Sequence, residues 1–429
     1  MTLGYDEMRA LDARHVWHPF TQAATARPPI LALGAKGATV FGADGREYLD
    51  MVSSWWVNLH GHAHPAIVRA VADQAARLEQ VIFADFTHEP AVRLAARLAA
   101  LLPGDLDRVF YSDDGSTAVE VAIKLAHQYW RNLGQPRTRW IAFDGGYHGD
   151  TVGAMSAGRA SGFFGAWDQL LFPVEVVPYP ATWDGDDAVE AKEAQALAAL
   201  DAVLGAEVAG VIVEPLVQGA GGMRMCRPEF LRALEARVRA AGALLVFDEV
   251  MTGFGRTGAL FACAGAGVVP DLVCLSKGIS GGFLPLAATV AREGIWQAFL
   301  GPGLDTAFLH GHSYTANPLG CAAGLASLDL LEAPECTARR AAIGALHRER
   351  LAGLAVSRRR VTGTIAAFDL EGEGGYGAAV GPKLKQAFLE RGVLLRPLGN
   401  VLYLLPPYCV TDAELHRAWD AVEAVLAGL

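Results

Sequence analysis

Long apolar runs are missing from this chain, although apolar residues are not. Of 429 residues 52% are hydrophobic, and the mean hydropathy is +0.25. The Ala/Val/Leu-rich stretch at 194–213 is nevertheless broken by Asp201 and Glu207. Nothing else approaches the roughly 20 uninterrupted apolar residues that a membrane span needs. The first residues mix acids and bases and show no apolar core of a secretory signal. Cysteines are few, six in all, and none forms a CxxC pair, which excludes a disulfide-stapled scaffold and fits reduced thiols in the cytoplasm. A basic stripe is also lacking: Lys and Arg total 36 against 46 Asp and Glu, for a net charge of −10, and the one short run is Arg358–Arg360. That argues against nucleic acid as a partner. A membrane partner is not expected either. With no low-complexity linker and no internal repeat, the surplus of apolar residues is expected to be buried twice, in a core and in a subunit interface.

The middle of the chain alternates short apolar runs with periodic Ala/Leu-rich segments. Strands are predicted at 108–112, 139–143, 209–213, 244–248 and 272–276, and helices at 116–132, 228–241 and 316–331. Continuous apolar strands spaced by helices imply an α/β fold with a mostly parallel sheet covered on both faces. The C-terminal part reads as α+β. It has strand-like segments at 364–370, 393–398 and 401–405, a helix near 380–391 after a Gly-rich loop, and a final helix opened by Thr411 and Glu414 in capping-box spacing. The expected division is an N-terminal segment 1–60 that adds strands to the small domain and reaches the active site, a large domain 61–330, and a small domain 331–429.

Open parallel sheets bind ligands beyond the carboxyl ends of their strands, and there the sequence is most informative. ALLVFDEVMTGFGRTG (243–258) carries Asp248 at the end of one apolar strand, and PDLVCLSKGISGG (270–282) carries Lys277 at the end of the next. Pyridoxal phosphate needs such a pair. A desolvated lysine amine condenses with its aldehyde, and an aspartate keeps its ring nitrogen protonated so that the ring accepts electrons. Taken alone, the two residues are equally well read as a partly buried ion pair. Two further post-strand turns shift the balance. Gly115 and Ser116 in SDDGSTAVE stand where a helix start offers free N–H groups to a phosphate. Tyr147 in FDGGYHGDT offers a flat ring for stacking.

These segments, with EPLVQGAGG (214–222) and HGHSYTANPLGCAAG (310–324), resemble the class III, fold-type I, pyridoxal-phosphate aminotransferases essentially end to end. WHPFTQ (17–22), SSWWVNLHGHAHP (53–65) and LRPLGNVLYLLPPY (395–408) are similar to one branch of that class, which aminates 8-amino-7-oxononanoate (KAPA) to 7,8-diaminononanoate (DAPA) in biotin biosynthesis. The resemblance implies a large domain around a seven-stranded-type sheet and a homodimer with its sites at the subunit interface. It implies Lys277 as the residue that holds the cofactor and shuttles the proton, Asp248 at the ring nitrogen, and Tyr147 stacked on the ring. Gly115 and Ser116 would bind the phosphate, with His312 and Ser313 supplied by the neighbouring subunit, and Glu214 would position the cofactor's edge. For substrate it implies Phe20, Trp55, Trp56, Gly311, Arg396 and Tyr403. The tryptophans would wall the hydrocarbon chain and Arg396 would grip the carboxylate. If 55–56 is strand, the two rings face opposite sides, and Trp55 is the ligand-facing one by resemblance. Phe20 stands where the family often has Tyr; S-adenosylmethionine is the expected amino donor and lysine the alternative. Another class III ω-aminotransferase is the nearest rival.

Two other motifs point elsewhere. GFGRTG (253–258) matches G-x-G-x-x-G, but it follows Asp248 and Glu249, which would repel a pyrophosphate. Arg256 within it is expected in a loop near the active site. His60, His62 and His64 lack the further ligands of a zinc centre and are expected in a turn or interface, with no metal.

Overall fold

The computed structural model describes residues 4–371 and 380–428; the Gly-rich loop expected before the helix at 380 lies largely outside the described residues. Its centre is a seven-stranded sheet. In chain order the strands are β1 (Leu106–Ser112), β2 (Arg139–Phe143), β3 (Glu175–Val177), β4 (Val208–Val213), β5 (Leu244–Asp248), β6 (Leu272–Leu275) and β7 (Ala287–Arg292). They lie side by side as β1-β7-β6-β5-β4-β2-β3. Only β7 runs against the others, pairing antiparallel with both β6 and β1. β4, β5 and β6 are fully buried, apolar but for the terminal Asp248. That is the signature of a parallel sheet covered on both faces. The α/β architecture expected from the alternating pattern is therefore present, with boundaries shifted by one or two residues.

Helix α1 (Gly115–Asn132) follows β1 and packs on the sheet through Val119, Ala122 and Ala126. Its start is a capping box: Asp114 accepts from the Thr117 N–H while the Thr117 hydroxyl accepts from the Asp114 N–H. Helix Pro318–Glu332 is almost wholly buried. The capping box read at Thr411 and Glu414 opens helix Asp412–Leu426.

Two small sheets lie outside the central one. Strands 32–36, 39–42 and 47–50 form one with Val393–Leu394, whose Val393 pairs with Leu49. Strands 357–362, 365–369 and 401–404 form the other. Residues from the two ends of the chain thus share one layer. Among the described residues no helix is long and apolar enough to cross a membrane.

The strand expected at 55–56 is absent. Ser53–Trp56 is a kinked helical turn with φ of 50° at Ser53, 62° at Ser54 and 67° at Trp56. These are left-handed values that cost energy for residues with a Cβ. The turn is held from both sides: Asp50 accepts from the Ser54 N–H at 2.6 Å, and the Ser53 hydroxyl donates to the Leu405 carbonyl at 2.8 Å. The tryptophans still diverge, Trp56 being 5% exposed and Trp55 37%, through backbone strain rather than strand alternation.

Candidate active site

Five of the parallel strand ends converge on one cavity of about 550 Å³. β1 delivers Gly115 and Ser116, β2 delivers Tyr147 and His148, β4 delivers Glu214, β5 ends in Asp248, and β6 leads to Lys277. β5 and β6 are in register at Asp248 and Cys274, so the carboxylate and the amine come from neighbouring strands at nearly one level. Sequence spacing could not give that level; the parallel register does.

Lys277 sits just past its strand with φ of 46°, a strained position of the kind found at working sites. Its Nζ lies 4.9 Å from the Trp56 ring centroid. Burial is the main force on this amine and lowers its pKa; the Arg256 charge adds to that, while Asp248 and Glu214 oppose it. The neutral, nucleophilic amine is thereby favoured. Asp248 is buried and held on both oxygens: Oδ1 accepts from the Val250 N–H at 3.1 Å and Oδ2 lies 2.7 Å from His148 Nδ1. Glu214 accepts from the Tyr147 and Gly219 N–H groups at 3.0 and 2.8 Å. Burial, with Asp248 nearby, pushes its carboxyl up to about 7.

At the opposite wall the first two N–H groups of α1, those of Gly115 and Ser116, have no hydrogen-bond partner among the described residues. The Ser116 hydroxyl accepts from the Asp150 N–H at 3.0 Å. A side chain at Gly115 would come within 2.7 Å of Val250, so glycine lets the helix start close on the cavity. Unpaired N–H groups at the positive end of a helix suit a phosphate. With an unprotonated-leaning amine and a buried carboxylate at the same cavity, the donor set fits pyridoxal phosphate.

The mouth is aromatic. Phe20 meets Trp55 at 5.5 Å and Phe163 at 6.3 Å, both edge-on. Tyr147 stacks on Phe164 and meets Phe163 edge-on; burial and the neighbouring Asp150 raise its hydroxyl pKa. The Trp56 indole donates to the Tyr403 hydroxyl at 2.9 Å. The Arg396 guanidinium lies 4.1 Å over the Trp55 ring. All these residues line the cavity except Phe164 and Asp150.

Three expected residues do not join the cavity of this chain. Gly311, His312 and Ser313 sit on the segment between β7 and helix Pro318–Glu332, outside the lining. His312 Nδ1 comes within 3.7 Å of Asp113, and the Ser313 carbonyl accepts from Gln80. Arg256 is not at the cavity either. It is a buried clamp, donating to the Pro406 and Asn58 carbonyls at 2.9 Å each, and so ties together the segments that carry Trp56 and Tyr403. The histidines at 60, 62 and 64 face Ser327, Asp50 and a helix start respectively. No metal-holding cluster occurs among the described residues.

Sequence reasoning passed over His148 and Phe163. His148 stood inside the FDGGYHGDT segment, and a buried carboxylate at a strand end needs a donor, which was the available signal. Phe163 gave none, because its approach to Phe20 depends on the path of the 158–171 turns.

An α/β fold with a lysine, a carboxylate and a phosphate-ready helix start at its strand ends defines a cofactor-dependent transferase. A family model described as aminotransferase class-III matches residues 21–426. The chain belongs to that family, and its cofactor is pyridoxal phosphate. A relative from Synechococcus elongatus, named adenosylmethionine-8-amino-7-oxononanoate aminotransferase, is 59% identical, with 96% of this chain and 98% of that one covered. The crystal structure of the enzyme so named from Methanocaldococcus jannaschii is 32% identical with a TM-score of 0.90, covering 98% of this chain and 99% of that one. An amine transaminase from an uncultivated Pseudomonas species, in its PLP-bound form, is 33% identical with a TM-score of 0.88, covering 96% and 98%. The fold-type I arrangement expected from sequence is thus present.

Proposed function

We propose that this aminotransferase converts KAPA to DAPA, with S-adenosylmethionine as amino donor, in the cytoplasm. The observation that carries the reading is Arg396 stacked on Trp55 beside the aromatic residues that line one side of the cavity. KAPA is a long hydrocarbon with a carboxylate at one end. A planar guanidinium matches the carboxylate in two parallel bonds, while Trp55, Trp56 and Phe20 offer apolar walls for the chain. The names of the relatives agree with this substrate and this donor.

When bound, pyridoxal phosphate supplies the electron sink for charge that develops at the amine-bearing carbon. The chain's residues do the rest. The Gly115 and Ser116 N–H groups hold the phosphate, and Asp248 holds a proton at the ring nitrogen. Lys277 Nζ anchors the cofactor at rest. It then takes the proton from the donor's amine-bearing carbon, a task its lowered pKa favours. Tyr147 covers the ring, and the aromatic mouth keeps water from the reacting carbon. Donor and KAPA use the same cavity in turn.

The site is read as completed by a second copy of the chain. Leu304, Leu309 and Tyr314, around His312 and Ser313, are exposed apolar residues, which supports a homodimer in which that segment reaches the partner's phosphate. The test is DAPA formed from KAPA with S-adenosylmethionine as sole donor, with lysine run in parallel. Product with S-adenosylmethionine is expected. Product with lysine alone overturns the donor, and product with neither overturns the substrate in favour of another ω-aminotransferase reaction.

A further inference from the structure

His62, from the LHGHAHP motif (59–65), meets a fully buried carboxylate, that of Asp50. Among the described residues His62 is its one ion-pair partner, with Nε2 3.0 Å from Oδ2; the Arg256 charge attracts it without bonding it. A buried carboxylate is costly unless it is paired and hydrogen-bonded. Here every side-chain bond of Asp50 goes to the segment that follows it. Oδ1 accepts from the Val52 N–H at 3.1 Å. Oδ2 accepts from the Ser54 N–H at 2.6 Å, from the Ser54 hydroxyl at 3.4 Å and from His62. Because that oxygen only accepts, the imidazole proton sits on Nε2.

Asp50 and His62 thus close the neck of a loop, 50–62. Both ends of it are anchored on adjacent residues: the Asp50 N–H donates to the Ala38 carbonyl and the His62 N–H to the Gly37 carbonyl, each at 2.7 Å. Between the ends stand Ser53, Ser54 and Trp56 with positive φ, a backbone that residues with a Cβ keep only where their surroundings over-determine it. From this loop Trp55 and Trp56 reach the cavity. Trp55 lies under the Arg396 guanidinium, and the Trp56 ring centroid is 4.9 Å from Lys277 Nζ.

We propose that Asp50 and His62 are positioning residues of the substrate wall. One oxygen, Asp50 Oδ2, receives both the Ser54 N–H and the His62 N–H. His62 therefore fixes the carboxylate in the direction that keeps Ser54 left-handed. That turn sends the two indoles apart, Trp55 to the mouth beside Phe20 and Trp56 to Lys277 and Tyr403. Neither Asp50 nor His62 is among the residues lining the cavity, so their effect on a substrate passes through the tryptophans.

Two measurements on His62→Leu and His62→Gln test it. The Leu variant loses the N–H, whereas Gln keeps a side-chain N–H donor. In crystal structures of the cofactor-loaded proteins, Leu is expected to show Trp55 displaced and the left-handed φ at Ser54 lost, and Gln to show both as in wild type. Indoles unmoved in the Leu variant overturn the proposal, whatever the substrate. The second measurement is kinetics with KAPA and with a short amine that lacks a carboxylate. Leu is expected to raise KM for KAPA about three- to tenfold, the worth of one misplaced aromatic contact. Its kcat and its rate with the short amine are expected to change little, and Gln to return KM towards wild type. An unmoved KM in a folded Leu variant, or the same loss with both substrates, overturns the role. The kinetic arm rests on the KAPA reading: a wild type inactive on KAPA counts against that reading alone, and the crystal structures still decide the wall. Should the Leu variant fail to fold, His62→Asn, whose amide falls short of Asp50, takes its place in both.

Discussion

Arg396 and Trp55 come from opposite ends of the chain and meet with the guanidinium carbon 4.1 Å over the indole ring. The stacking fixes the plane of the guanidinium where it lines the cavity. Removing it with Arg396→Ala is expected to lower kcat/KM for KAPA by about 10- to 100-fold, the range for losing a charge-assisted bidentate bond. Arg396→Lys is expected to recover little, since a lysine neither stacks nor forks. Steady-state kinetics with a short amine that lacks a carboxylate is the control. An unchanged KAPA constant removes Arg396 as the carboxylate site.

Lys277 carries the second prediction. Burial favours its neutral form, which suits a proton carrier. Lys277→Ala is expected to keep binding cofactor through the helix start and Asp248, yet to lose at least about 10²–10⁴-fold in turnover, the usual worth of a positioned acid–base group. Added methylamine is expected to restore part of the rate. Absorbance of the bound cofactor and single-turnover rates measure both parts, and turnover near wild type contradicts the role.

How much of this was readable beforehand depends on what sets each residue's position. Asp248, Lys277, Gly115 and Tyr147 follow from apolar strands, because a parallel sheet places whatever follows each strand at one edge, whereas Glu214 was read from the resemblance. The turn at 53–56 was not readable as such. Adjacent tryptophans suggested strand alternation, whereas the actual conformation depends on Asp50 and Leu405 holding positive-φ residues in place. Arg256 was read as near the site from its neighbours in sequence, and its charge does act on Lys277, but its donors clamp the backbone of residues 58 and 406 rather than lining the cavity. Long-range clamps of this kind leave no local pattern. His312 and Ser313 lie outside the cavity lining of their own chain, which no local pattern announces.

Glu214 gives the cofactor-free protein a specific pH response. Burial pushes its pKa from 4.5 up to about 7. Between those values the folded chain keeps the proton and the unfolded chain has released it, so this residue's contribution to stability falls as pH rises through the window. Glu214→Gln removes that loss. Gln can accept only one of the Tyr147 and Gly219 N–H bonds, so the variant starts below wild type at low pH. Its stability relative to wild type is expected to rise by at most roughly 3 kcal/mol between pH 4.5 and 7. Glu249, also raised to about 7 by burial, acts with the same sign and remains in the variant, so the variant still slopes. Urea midpoints of the cofactor-free forms at several pH values measure the difference. A difference that shrinks with rising pH contradicts the buried, protonated state.

Phe20 and Phe163 bear on the one departure noticed in the sequence. The Phe20 ring packs edge-on against both Trp55 and Phe163, so its role in this chain is to complete an apolar arc. Phe20→Tyr is accordingly expected to change kcat/KM for KAPA by less than about threefold, as for substitutions that disturb no packing. Phe163→Ala breaks the edge contacts to Phe20 and Tyr147, each worth about 0.5–1.5 kcal/mol. The expected result is a KM for KAPA raised roughly three- to tenfold, with kcat little changed, because the ring lines the cavity with Phe20 and Trp55 rather than beside Lys277. Kinetics over a range of KAPA concentrations separates the two constants. A fall in kcat at constant KM would instead place Phe163 behind Tyr147, acting on the chemistry through that ring.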